Sequence, residues 1–306
     1  TLEQIPSDAI QSIEIITNPS AKYDASGGQS GILNIVLKKN RKAGYNGSLR
    51  AGIDSRARFN AGGDINVRQG KFNFFANAMY NQRKSKGWGE TDRLSVINDK
   101  TVTTLQDNNS ISRGAFAFGR FGLDYFIDNR NTITVSQVIV DGNFKFDNRN
   151  DLDIDTMGIA QEYQAFNTLG NFHFRNYGTQ MSFKHLFARA GKEWTADINY
   201  NKSKNENLSD ISTRAYFDPA QTNLKSEFLQ ALEGGGENKF IVAQTDFINP
   251  INENMKWEAG ARAQIRRFQS FQRNSINGDF KPDLSNAFDY SDYVYAGYAT
   301  FSHKVK

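Results

Sequence analysis

From residue 41 onward, apolar and polar residues alternate along the chain. In Arg58–Arg68 one side carries Phe59, Ala61, Gly63, Ile65 and Val67, and the other carries Asn60, Gly62, Asp64, Asn66 and Arg68. Successive strand side chains point to opposite faces, so this is a strand with one apolar and one polar side. The same split recurs in Lys71–Asn81, Trp194–Asn201 and Lys256–Arg266, whereas Thr132–Phe144 carries apolar residues on both faces. The pattern predicts about ten strands, near 43–54, 57–68, 71–84, 112–127, 132–146, 174–187, 192–205, 237–249, 255–270 and 290–304. All five prolines, at 6, 19, 219, 250 and 282, fall outside these strand interiors, as ladder hydrogen bonding requires.

The links alternate in length. Arg68–Lys71, Ile127–Asn131, Ala188–Lys192 and Pro250–Asn254 read as tight turns. Between them lie long polar links near 85–111, 147–173, 206–236 and 271–289, and only Asp54–Ala57 breaks the rhythm. Short turns at one end and long loops at the other suit an antiparallel transmembrane β-barrel of the outer-membrane type. With every short turn at one membrane face, Phe72, Tyr125, Phe187, Trp194, Phe247 and Trp257 gather at the turn end as an aromatic girdle. Tyr80, Tyr200 and Phe268 fall near the loop end and are expected to form the other girdle.

Composition sharpens this. Only 38% of the 306 residues are hydrophobic, yet 13% are aromatic and 24 are Phe. Disordered chains are poor in aromatics, so disorder does not explain the low hydrophobic fraction. Alternate residues facing water do. No apolar run approaches the length of a spanning helix. The absence of cysteine removes disulfides, thiolate catalysis and Cys-based zinc sites. Lys plus Arg number 37 against 33 Asp plus Glu, and the two signs are interspersed. Nucleic-acid binding would call for a clustered basic stripe, so no nucleic-acid partner is expected.

The first forty residues have a different texture. Ser7 is placed to cap a short helix containing Ile10; Ile13–Thr17 and Ile32–Leu37 read as strands, with the Gly27–Gly31 loop (GGQSG) between them. The run from Ile5 to Lys39, IPSDAIQSIEIITNPSAKYD through GILNIVLKK, resembles the end of the plug domain of TonB-dependent outer-membrane receptors. It is most similar to the Bacteroidota branch described as outer-membrane β-barrel family proteins. Many receptors of the wider class carry Arg-Gly-Pro and Tyr-Gly here, where this chain has Thr17-Asn18-Pro19 and Tyr23-Asp24. Gly122–Thr134 likewise resembles a barrel hairpin of that family.

The resemblance implies a barrel of about 22 strands enclosing an α+β plug. Residues 1–40 are then expected to be the C-terminal part of the plug and 41–306 the first part of the barrel. The expected protein is longer, its TonB box and most of its plug lying outside this chain. The implied activity is import of a substrate by plug rearrangement, driven by a TonB-type energy-coupling protein through a segment not in this chain. The implied setting is the bacterial outer membrane and its lipid. A surface lipoprotein partner and a small-molecule, glycan or peptide substrate belong to the same family picture.

Candidate chemistry is limited. GGQSG lacks the Gly-Lys-Ser/Thr ending of a phosphate loop, and a plug loop needing positive φ accounts for it. His173, His185 and His303 show no metal-ligand spacing, and no nucleophile–base grouping is suggested. No cofactor, metal or catalytic residue is expected. Tyr23, Asp24, Gly27, Gly28 and Gly31 are candidates for a coupling hinge. Arg120, Asp124, Arg262 and Arg266, with Arg50, Asp64, Arg68 and Glu258, are expected to line the lumen. Arg83, Lys84, Trp88 and Arg267 lie at the loop end and are candidates to meet an incoming substrate. Two other readings stay open: a small closed barrel with a structural or adhesive role, and a barrel hydrolase.

Overall fold

The computed structural model describes residues 10–16, 32–37, 43–97, 99–157 and 159–303, with side chains described for 43–97, 99–157 and 162–303. Two short strands, β1 (Ile10–Ile16) and β2 (Ile32–Leu37), pair antiparallel. Ile10 opens β1 instead of lying in a helix; the rest of the expected Ser7 helix falls outside the described residues.

The second sheet has eleven strands. They are β3 (Gly44–Ile53), β4 (Phe59–Gln69), β5 (Phe72–Ile97), β6 (Lys100–Phe126), β7 (Asn131–Thr156), β8 (Ile159–Leu186), β9 (Glu193–Tyr216), β10 (Leu224–Pro250), β11 (Met255–Ile276), β12 (Asp279–Phe280) and β13 (Asn286–His303). Each of β3 to β11 pairs antiparallel with the next strand in sequence. β12 and β13 pair with successive stretches of β11. Among the described residues the path runs from β3 to β13 without closing. Among the described residues no α-helix is present, and one 3-10 turn spans Pro282–Leu284.

All ten long strands expected from the alternation are present, and the four tight turns separate them as expected. The long polar links are a correction. Residues 85–111 are not a loop: β5 and β6 stay paired to Ile97↔Lys100. The same holds for 147–173, where pairing reaches Thr156↔Ile159, and for 206–236, where only 217–223 leave the ladder. In 271–289, β11 and β12 meet across Asn277 and Gly278, both at positive φ, 49° and 88°. That pair is the residue combination a two-residue hairpin turn demands. The physical reason for the missed strands is that period-two hydropathy needs one apolar face. Beyond the lipid both faces are wet, so the backbone ladder continues while the pattern fades.

Three of the reversals are closed by an aspartate side chain. Asp128 Oδ1 accepts the backbone N–H groups of Arg130 at 2.7 Å and Asn131 at 2.8 Å. At the opposite end Asp54 Oδ1 accepts Arg56 N at 2.8 Å and Arg58 N at 2.9 Å, while the carboxylate of Asp218 takes Thr222 N and Asn223 N. Asp and Asn favour such turns because their side chains supply the acceptor that the reversed backbone lacks.

Candidate functional site

Directly opposed residues of an antiparallel pair share a face, so register carries one face across the whole sheet. The face of Phe72, Phe74, Ala76, Ala78 and Tyr80 continues through Leu123 and Phe121, Ile133 and Val135, Phe183 and Met181, Trp194 to Tyr200, Phe247 to Ile241, Trp257 to Ile265, and Phe301 to Tyr293. This apolar band runs about eight residues up each strand, roughly 27 Å along it at about 3.4 Å per residue. With strand tilt it matches the apolar belt about 25 Å tall of outer-membrane barrels.

At the turn end of the band, rings meet in three groups. Phe72 stacks on Tyr125 at 5.0 Å, Phe183 meets Trp194 at 5.4 Å, Phe187 meets Phe247 at 5.7 Å, and Phe247 meets Trp257 at 5.3 Å. Each residue of the expected turn-side girdle is therefore in contact with another ring. Of the expected loop-side girdle, Tyr80 and Tyr200 share this outward face. Phe268 does not: it opposes Asn238 and Tyr290 on the other face. Above the band the outward face turns cationic, with Lys202, Lys239 and Arg267 opposed in one row and Lys84, Arg113 and Lys145 in another.

The inward face is zoned along the strands. Toward the turns lies the row Asn73, Asp124, Thr134, Ser182, Asp197, Gln244 and Arg262. Asp124 accepts from Asn73 Nδ2 at 2.9 Å and Thr134 Oγ1 at 2.7 Å. Asp246 is 4% exposed and accepts from Gln244 Nε2 at 2.8 Å and from the Tyr298 hydroxyl. Farther up, Arg120 lies over the Phe75 ring at 5.5 Å, and Arg266 donates twice to Asp292, at 3.1 and 2.9 Å. Register places Arg50, Asp64, Arg68, Arg120, Asp124, Glu258, Arg262 and Arg266 together on this inward face.

Above the Arg120–Arg266 row, charge disappears from the inward face of β6 to β13 for three rows. They read Phe118, Val140, Asn176, Ser203, Asn238, Phe268, Tyr290; then Phe116, Gly142, Phe174, Asn205, Gly236, Ser270, Phe288; then Gly114, Phe144, Phe172, Asn207, Gly234, Gln272, Asn286. Rings and primary carboxamides interleave here. Phe144 and Phe174 lie parallel at 6.2 Å with an interplanar angle of 2°, and Phe172 joins Phe174 at 5.8 Å. The rings fold over neighbouring glycines: a Cβ on Gly142 would meet the Phe174 ring at 2.5 Å, and one on Gly170 would enter the Phe146 ring. Glycine is what lets a large ring lie flat on the adjacent strand.

A cleft of about 340 Å³ opens in this zone between Phe172, Phe174, Phe268, Asn176, Asn205 and Asn238. That is inside the range of small-molecule sites, about 300–1,000 Å³. Arg175 and Lys204 border it, but register assigns both to the outward face, where they pair with Asp141 at 2.9 Å and Glu206 at 2.6 Å. Sequence reading missed this zone because it assigned aromatics to lipid by default. Phase counted from the turns was the available signal: Ile133 starts outward, so Val138, Val140, Phe144 and Phe146 face inward.

The loop-end candidates divide between faces. Arg83 opposes Gly114 on the inward face, at the edge of the uncharged zone. Lys84 and Trp88 are outward, Trp88 being 83% exposed, and Arg267 is outward and bound to Asp289 at 3.1 Å. Tyr23, Asp24, Gly27, Gly28 and Gly31 lie outside the described residues. Among the described residues no group of His, Asp or Glu is arranged to hold a metal ion.

Residues 185–306 match the outer membrane protein beta-barrel family. No curated protein matches the sequence. Among solved structures, the ferric yersiniabactin uptake receptor FyuA of Yersinia pestis aligns over 97% of this chain and 50% of its own, at 10% identity and TM-score 0.39. The siderophore receptor PiuA of Acinetobacter baumannii aligns over 96% and 51%, at 12% identity and TM-score 0.31. The chain thus spans about half the length of these receptors. The family match, the apolar band and the girdle identify an outer-membrane sheet of the β-barrel kind, located in the outer membrane.

Proposed function

We propose that this chain is part of a TonB-dependent outer-membrane receptor that imports a substrate by rearranging a plug. The observation that carries the reading is the inward face: polar toward the turns, with the ion pairs Lys184–Glu193 and Lys256–Glu258 there, and lined by rings and carboxamides around an uncharged cleft toward the hairpin tips. A small barrel fills its interior with its own side chains, whereas this face keeps open polar surface for a plug, water and a passing solute. Residues 1–40 then form plug and 41–306 barrel wall. Tyr23, Asp24, Gly27, Gly28 and Gly31 serve as the coupling hinge, and an inner-membrane TonB-type protein supplies the energy. The function is transport, without catalysis, in a Bacteroidota-type receptor; a surface lipoprotein lid fits over the hairpin tips.

The test compares cells carrying the intact gene with a deletion strain, using labelled solutes that cannot cross the outer membrane unaided. Gene-dependent uptake that a protonophore abolishes is expected. Gene-dependent uptake that persists without the proton-motive force would identify a passive barrel and overturn the proposal. Hydrolysis of the solute by the purified protein would favour the hydrolase alternative.

A further inference from the structure

We infer that the cleft on the inward face binds a neutral saccharide, stacking pyranose rings on Phe172, Phe174 and Phe268 and hydrogen-bonding their hydroxyls to Asn176, Asn205 and Asn238. The inference rests on the transport reading and names its substrate class.

The chemistry of the lining carries it. A sugar ring has an apolar face of C–H bonds and an equatorial rim of hydroxyls. It therefore wants a flat aromatic surface beside groups that both donate and accept. The parallel Phe144–Phe174 pair, continued by Phe172, supplies the flat surface. A carboxamide offers an acceptor and two donors in one plane, which matches two adjacent hydroxyls. Asn238 Oδ1 is shielded from solvent and has no hydrogen-bond partner. Leaving a buried acceptor unpaired is costly, and a ligand hydroxyl would satisfy it. Asn176 Oδ1 is already held by Asn201 Nδ2 at 2.8 Å, which fixes the plane of that amide. The Asn205 carboxamide lies against Gly236, where a Cβ would meet its Oδ1 at 2.9 Å.

Charge argues against the rival substrates. An anionic metal chelate calls for free cations inside the cleft. The inward cation nearest below it on β11, Arg266, is committed to Asp292. A peptide would be bound chiefly through its backbone by an exposed strand edge, and the cleft lies in the middle of a paired sheet. Position agrees with entry from outside. Phe174 lies twelve residues from the turn end of β8 at Leu186, above the apolar band and toward the hairpin tips.

The test uses the full-length receptor purified in detergent, with isothermal titration of uncharged hexasaccharides of glucose, mannose, galactose and xylose, a ferric catecholate and a neutral hexapeptide. Saturable binding of at least one hexasaccharide is expected. Phe174→Ala and Asn238→Ala are each expected to weaken it at least tenfold, while Lys145→Gln, on the outward face, leaves it within twofold. Heat-modifiable migration on gels shows that each variant is folded. Binding of none of the hexasaccharides overturns the inference, as does preference for the chelate or the peptide, or saccharide binding indifferent to both cleft variants. The two readings fail separately. Energy-dependent uptake of a chelate removes the saccharide and keeps transport; cleft-dependent saccharide binding without energy-dependent uptake does the reverse.

Discussion

Single side chains decide how the two ends of this sheet are held. Asp128 shows the effect in a solvated turn. Hydrogen bonds from the backbone of Arg130 and from Asn131 keep its carboxyl below the usual carboxylate value. A depressed folded value stabilises the turn above the unfolded value, and that contribution is lost as pH falls through the folded one. Amide hydrogen exchange at Arg130 and Asn131 is therefore expected to accelerate, beyond its intrinsic pH dependence, only in the acid range below about pH 4. Asp128→Asn keeps an acceptor but not the titration, so its exchange should show no such acid step; a step of equal size in both proteins contradicts the assignment. Gly170 shows the steric counterpart. A Cβ there enters the Phe146 ring, so Gly170→Ala is expected to cost about 1–3 kcal/mol. Most of that should return in the Gly170→Ala, Phe146→Ala double variant, read from urea unfolding in detergent. None of these ring–glycine pairs was legible in the sequence, because the partners sit on different strands and 24 or more residues apart.

At the scale of the strand, alternation was readable wherever one face met lipid and unreadable elsewhere. β9 illustrates both. Trp194, Ala196, Ile198 and Tyr200 announce the strand, and then Lys202, Lys204 and Glu206 occupy the same face and the apolar signal ends. The ladder nevertheless continues to Tyr216. Asn277-Gly278 was the one explicit marker of a tip inside a stretch that otherwise reads as loop. Asn277→Val, which puts a β-branched residue at positive φ, is expected to cost about 1–3 kcal/mol, measurable as a lower urea midpoint. Sidedness is testable too. An epitope inserted between Asn277 and Gly278 should be stained on intact cells, and one inserted in 251–254 only after the outer membrane is permeabilised. The opposite staining pattern would mean that the tight turns, not the hairpin tips, face outward.

For the whole molecule, two faces of one sheet live in different solvents. Ile198 and Asn199 are neighbours in sequence, but Ile198 lies outward and 52% exposed, while Asn199 opposes Gln180 and Val242 inward. Ile198→Arg is expected to cost about 2–4 kcal/mol near mid-membrane, and Asn199→Arg much less. Folding free energies in lipid vesicles check the difference, and equal penalties would deny that β9 has a lipid side. The general zoning was foreseeable from period and turn spacing; the lumen's uncharged zone was not, since it depends on register across seven strands.

The length of the hairpins has a mechanical meaning. About 9–11 residues suffice for a tilted strand to cross a bilayer, while β5 to β10 run from 24 to 28 residues. Some fifteen residues per strand therefore stand clear of the lipid, about 40 Å of hydrogen-bonded wall at ordinary rise and tilt. Where outer-membrane barrels carry their longer extracellular loops, this sheet continues its hydrogen-bonded ladder, so the region beyond the lipid is held by backbone pairing from strand to strand.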